Sequence, residues 1–154
     1  MLTAKDIMTA PVVTLSPSME IVAAAKILMD KHISGAPVID DYGTIIGILT
    51  RDDLIMQQKK LPLPSYFVIL DALIPIHSTS QVEKEVEKIA ATTVEHAMTS
   101  PPVTVRLDTP IEDLASIMVD RKIHTLPVLN DDGDLLGIIG KEDIVRTLVP
   151  DRSR

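Results

Sequence analysis

The two halves of this chain carry one pattern twice, and that duplication limits the folds open to it more than any other feature. Ile7-Met8-Thr9-Ala10-Pro11-Val12-Val13-Thr14 is matched by Ala97-Met98-Thr99-Ser100-Pro101-Pro102-Val103-Thr104, an offset of about ninety positions. The same offset sets Ala36-Pro37-Val38-Ile39 against Leu126-Pro127-Val128-Leu129, and Gly47-Ile48 against Gly137-Ile138, without a gap. A match held in register that far implies two copies of one tertiary unit, over 1–58 and 93–154, joined by a structured segment over 59–92. The 154 residues suit one compact domain or two small ones sharing a core, because two independent cores would both be thin.

Inside each copy the apolar period changes in a readable order. Ile21, Ala24, Ala25, Leu28 and Met29 form the stripe of an amphipathic helix, repeated by Ile111, Leu114, Ala115, Met118 and Val119, and both stripes are expected to be buried. Thr109-Pro110-Ile111-Glu112 predicts a capping box with Pro at the first helical position, and Ser18 is the expected cap of the first helix. Short β-rich runs follow at 36–39 and 126–129, then Asp40-Asp41-Tyr42-Gly43 or Asn130-Asp131-Asp132-Gly133, then a second strand, the pattern of a hairpin. Second helices are expected over about 51–58 and 141–148, and a short strand before each unit at 12–15 and 103–105. In the joining segment, Tyr66–Leu70 is apolar, and Val82, Val86 and Ile89 among Glu and Lys predict a short amphipathic helix packed on the module.

Composition narrows the chemistry. With 45% hydrophobic residues but one Phe, two Tyr and no Trp, the core must be aliphatic. A net charge of −7 disfavours a nucleic-acid polymer as partner, since such binding relies on Lys and Arg neutralising phosphates, but it leaves room for a small anion in one pocket. Absence of cysteine excludes disulfides, thiolate catalysis and Cys-based zinc sites. No signal-peptide pattern or long apolar span occurs, so a cytoplasmic protein without a membrane partner is expected.

Two segments resemble the CBS domain, named after cystathionine β-synthase: Ile33-Ser34-Gly35-Ala36-Pro37-Val38 followed by Gly47-Ile48-Leu49-Thr50-Arg51-Asp52-Asp53, and Ile123-His124-Thr125-Leu126-Pro127-Val128 followed by Gly137-Ile138-Ile139-Gly140-Lys141-Glu142-Asp143. The resemblance covers the chain outside the joining segment. It implies an α/β (α+β) fold of two β-α-β-β-α repeats packed sheet to sheet with pseudo-twofold symmetry, a tandem pair or Bateman module. It further implies two clefts that take AMP, ADP, ATP or a related adenosyl ligand such as S-adenosylmethionine, no required cofactor, a homodimer, and a regulatory rather than catalytic role. No effector domain accompanies the pair in this sequence, so its output is expected to pass through an unknown protein partner or self-association.

The motif residues suit that use. Thr50-Arg51-Asp52-Asp53 opens a helix directly after a strand, where unpaired amides and the positive end of the helix favour a phosphate and the Thr50 hydroxyl adds a contact. Asp53 can accept from both ribose hydroxyls, as the resemblance implies. The resemblance also implies that the adenine slot comes from the other copy, so one site comprises Thr50, Arg51, Asp53, Val103, Ile123 and His124, and a second, weaker one Gly140, Lys141, Asp143, Val13, Ile33 and Ser34. Gly140 lacks the hydroxyl of Thr50, which predicts unequal sites. Thr50 and Asp53 also fit a plain capping box. Lys31, Arg106, Arg121 and Lys122 lie beside the motifs as further cations, each more often a solvated side chain than a phosphate ligand. His32, His77, His96 and His124 do not fall at metal-ligand spacing, and no nucleophile motif occurs, so no catalytic residue and no metal site are assigned. The acidic turns fit hairpins rather than calcium loops. The alternative function is a ligand-free dimerisation scaffold.

Overall fold

A computed structural model describes residues 1–60 and 92–150, and the expected features at Tyr66–Ile76, His77 and Val82–Ile89 lie outside them. The first copy contains α1 (Ala4–Ile7), α2 (Ile21–Asp30), β1 (Gly35–Ile39), β2 (Ile45–Thr50) and α3 (Arg51–Lys60). The second repeats the order as α4 (Val94–Ala97), β3 (Val105–Arg106), α5 (Ile111–Arg121), β4 (Thr125–Leu129), β5 (Leu135–Gly140) and α6 (Lys141–Arg146). Among the described residues no helix is long and apolar enough to cross a membrane.

Each hairpin is antiparallel, with Gly35 opposite Thr50 in one and Thr125 opposite Gly140 in the other. The turns form as the sequence predicts. Asp40 accepts the amides of Tyr42 and Thr44 through its carboxylate, Asn130 accepts those of Asp132 and Asp134, and Gly43 and Gly133 take φ of 81° and 83°. The expected leading strands shrink to β3, parallel to β4, and to a bridge from Leu15 to Val38.

Proline sets the next level of order. Pro37 stands opposite Ile48 and Pro127 opposite Ile138, at paired positions where no amide is needed between the strands. Ile48 and Ile138 turn their backbone groups outward instead. Ile48 exchanges two bonds with Thr99, at 3.0 and 2.9 Å, and Ile138 two with Thr9, at 3.0 and 2.8 Å. Each leading segment thus lies on the hairpin of the other copy. A side chain at Gly47 would place its Cβ 2.5 Å from Met98 Sδ, and one at Gly137 would collide with Met8 Sδ, so the glycines make room for the crossing.

The crossing interlocks two cores. Ala4 from the first copy joins Val105, Leu114, Met118, Leu126, Val128 and Ile139, while Val94 from the second joins Leu15, Ala24, Leu28, Ala36, Val38 and Leu49. Full burial of such an aliphatic side chain stabilises by about 1.5–3 kcal/mol. The helical stripes are only partly buried, because Met29 and Val119 point to solvent, and Ile27 and Ile117 pack against the cores in their place.

Both predicted helix caps are displaced for the same reason. Glu20 and Pro110 occupy the N-cap positions, so Pro110 precedes the helix rather than opening it. The Ile21 amide donates to the Thr92 carbonyl, at the end of the joining segment, and the Ile111 amide to that of Leu2 in the first copy, so both partners come from far along the chain. Ser18 pairs with the Ser16 hydroxyl, and Thr109 accepts from the Arg106 amide.

Candidate functional site: a cleft between the copies

β2 runs straight into α3, and β5 straight into α6, so both strand-to-helix junctions project from the sheets at the seam between the copies. His32 and Lys122, with φ of 54° and 55°, take the left-handed conformation and swing the chain from α2 and α5 into Ile33 and Ile123 at the same seam. The result is a cleft of about 780 Å³ lined by residues of both junctions. Its lining includes Thr50, Arg51, Asp53, Val103, Ile123 and His124 of the first predicted set and Ile33, Ser34, Gly140, Lys141 and Asp143 of the second, but Ile33 and Ser34 lie beside Arg51, at the Asp53 junction. Val13 does not line it.

The Asp53 end is ordered by three short bonds. The Thr50 amide donates to Asp53 Oδ2 at 2.9 Å, the Asp53 amide donates to the Thr50 hydroxyl at 3.1 Å, and the Thr99 hydroxyl donates to Asp53 Oδ1 at 2.8 Å. The capping box therefore forms, and it leaves lone pairs of a carboxylate aimed at the cleft. The Arg51 amide donates to the Ser34 carbonyl, and its Nε to the Ile33 carbonyl at 3.1 Å, which pins the guanidinium over the rim. Here Thr99, Pro101, Pro102 and Val103 form a wall supplied by the second copy.

The Asp143 end keeps the amide-to-carboxylate bond and differs in the rest. The Gly140 amide donates to Asp143 Oδ2 at 2.7 Å, but Oδ1 meets the Arg146 guanidinium at 3.3 Å and the Thr9 hydroxyl only at 3.5 Å. From the leading segment of the first copy, only Thr9 is among the lining residues.

At the floor the copies touch. The Ser34 hydroxyl lies 3.4 Å from that of Thr125, and a Cβ on Gly35 would fall 2.9 Å from the same Thr125 oxygen. Gly35 is thus what lets β1 approach β4. Of the other cations beside the motifs, Arg121 and Lys122 line the cleft, whereas Arg106 is ion-paired to Asp131 on an exposed turn. Thr9, Thr99 and Arg146 were not legible as site residues from either motif. The threonines did leave a signal, since Met-Thr is among the few dipeptides kept identical in both copies.

Similarity to known proteins follows the same lines. The CBS domain family matches residues 4–60 and 94–150. An uncharacterized protein of Methanocaldococcus jannaschii, MJ1426, is 29% identical over 154 residues, covering 94% of this chain and 90% of its own length. The chloroplastic CBS domain-containing protein CBSX2 of Arabidopsis thaliana is 29% identical, and the chain matches 86% of itself to 56% of that protein's length. The crystal structure of CBSX2 in complex with AMP matches with a TM-score of 0.70 at 28% identity, over 95% of both chains. That of the CBS domain pair of protein MJ0100, in complex with 5'-methylthioadenosine and S-adenosyl-L-methionine, gives 0.73 at 26% identity, over 96% of this chain and 95% of the other. The chain therefore belongs to the CBS domain family, as a tandem pair of CBS domains.

Proposed function

We propose that this CBS pair is a regulatory module that binds an adenine nucleotide, AMP, ADP or ATP, in the cleft between its copies and passes the bound state to a protein partner. The observation that carries the reading is the cleft into which both strand-to-helix junctions deliver a carboxylate and a helix N-terminus. Its volume falls within the range of about 300–1,000 Å³ usual for small-molecule sites. Arg51, Arg121, Lys122, Lys141 and Arg146 more than balance Asp52, Asp53, Glu142 and Asp143 in the lining of this cavity, in a chain whose net charge is −7, so a phosphate meets cations there as well as the carboxylates that would take a ribose. The solved relatives with AMP or S-adenosyl-L-methionine support the ligand class.

In this reading, phosphate meets the Thr50–Arg51 end of α3, ribose meets Asp53, and adenine packs between Val103 and Ile123. A ligand so placed touches both copies, and it biases their relative orientation only by binding one arrangement better than another. Val22, Met29 and Ile55, with Val119 and Val145, leave apolar side chains exposed on the helices, a surface suited to the proposed homodimer or to the regulated partner.

Thermal unfolding with AMP, ATP or S-adenosylmethionine tests the reading, because a ligand bound only by the folded chain raises the midpoint. At a hundredfold excess over Kd the gain is about 2.7 kcal/mol. A nucleotide should raise Tm more than S-adenosylmethionine does. No shift with any of the three would leave the ligand-free scaffold as the better account, and turnover of a ligand would make the chain an enzyme.

A further inference from the structure

We propose that Arg146 is a specificity-determining residue that sets the Asp143 end of the cleft apart by occupying the carboxylate a ribose would use. The inference rests on the nucleotide reading of the cleft. A carboxylate recognises a ribose diol by accepting two hydrogen bonds, and its charge strengthens both. Asp143 has one oxygen committed to the Gly140 amide, and the other faces Arg146 Nη1. Its side chain is only 11% exposed, so this partner neutralises a charge that water barely reaches, while the Arg146 side chain is 70% exposed and reaches in from outside.

The first copy provides the internal control. Met56 stands where the second copy has Arg146, and among the described residues Asp53 has no ion-pair partner. The corresponding oxygen of Asp53 is met by the neutral Thr99 hydroxyl, which leaves the negative charge uncompensated. Position along the helix argues against a phosphate role for Arg146. It follows Asp143 by three residues, about 4.5 Å further from the helix N-terminus, on the side away from the amides that favour an anion. A ribose therefore meets at Asp143 a carboxylate whose charge is already shared with a guanidinium, and at Asp53 one bonded only to neutral donors.

Calorimetric titration of the full chain with AMP tests the assignment through a reciprocal exchange. Both residues are largely exposed, so R146M and M56R should fold as the parent does, which their melting curves check. The parent should show one stronger event and one weaker or undetected. R146M should strengthen the weaker event roughly two- to fivefold, the scale of a single partly exposed ion pair, and leave the stronger unchanged. M56R should weaken the stronger event by a similar factor. Added salt should narrow the gap between the events in the parent and not in R146M. If the parent binds AMP and R146M leaves the weaker event unchanged or weaker still, Arg146 does not have this role. If neither parent nor variants bind AMP, the cleft reading fails and this assignment with it.

Discussion

The two ends of the cleft are built on one backbone plan and furnished differently. At the Asp53 end a hydroxyl-bearing Thr50 opens the helix, Thr99 donates to the carboxylate at 2.8 Å, and the wall extends through Val103. At the Asp143 end a glycine stands in place of Thr50, the equivalent threonine is 3.5 Å away, and a guanidinium faces the same carboxylate. Duplication preserved what the fold requires, namely the Gly47 and Gly137 crossings and the Pro37 and Pro127 pairings, and let the polar side chains diverge. Under the proposed reading, one end would fill before the other.

The largest effects test where the copies should be alike. Leu49 and Ile139 are both fully buried, each in the core of its own copy. Truncation to Ala at either should cost about 2–5 kcal/mol, a fall in Tm of roughly 5–15 °C for a chain of this size. Because Ala4 and Val94 each sit in the opposite core, both variants should unfold in one transition under calorimetry. Two transitions, with only one moved by each substitution, would show that the interlock does not couple the copies.

An intermediate effect tests where they should differ. Under the proposed reading, D53A removes charge-assisted bonds to ribose and should weaken AMP binding about ten- to hundredfold. D143A acts on a carboxylate already paired with Arg146 and should change the stronger event less than about threefold. Equal or reversed effects in a binding titration would remove the asymmetry from the account.

Local patterns in the sequence carried the elements but not their pairing across the copies. Hairpins were legible because strand periodicity, Asp40 or Asn130, and a glycine at positive φ act within a few residues. Caps were misplaced because Thr109-Pro110-Ile111-Glu112 satisfies a local rule, while the Ile111 amide is met by the carbonyl of Leu2 from the far end of the chain. The lining of the cleft was legible on the residues that each motif contains, Thr50, Asp53 and Asp143 among them. It was not legible on Thr9 and Thr99, which reach the carboxylates only through the crossing. Val13 and Val103 occupy matching positions, yet only Val103 lines the cleft, a distinction that matching positions cannot make.

The smallest effect separates the leading helices. In α1 the Asp6 carboxylate accepts from the Thr3 amide at 2.9 Å and the Thr3 hydroxyl at 3.1 Å. In α4 the equivalent contact joins the Thr93 hydroxyl to His96 Nδ1 at 2.8 Å. The Thr3 amide, and after it the hydroxyl, hold the Asp6 carboxyl below its ordinary value of 3.8. A carboxyl whose pKa falls on folding adds stability above its unfolded pKa and loses it as pH drops through the folded one. D6N should therefore lower Tm at neutral pH by a small amount, on the order of 1 °C. The gap from the parent should close as pH falls below the usual carboxylate range, where Asp6 is protonated folded or unfolded. Melting both proteins across that range checks the sign. A gap that persists unchanged in acid would mean that Asp6 acts through shape and not through its charge, and the two leading helices would then be capped on equal terms.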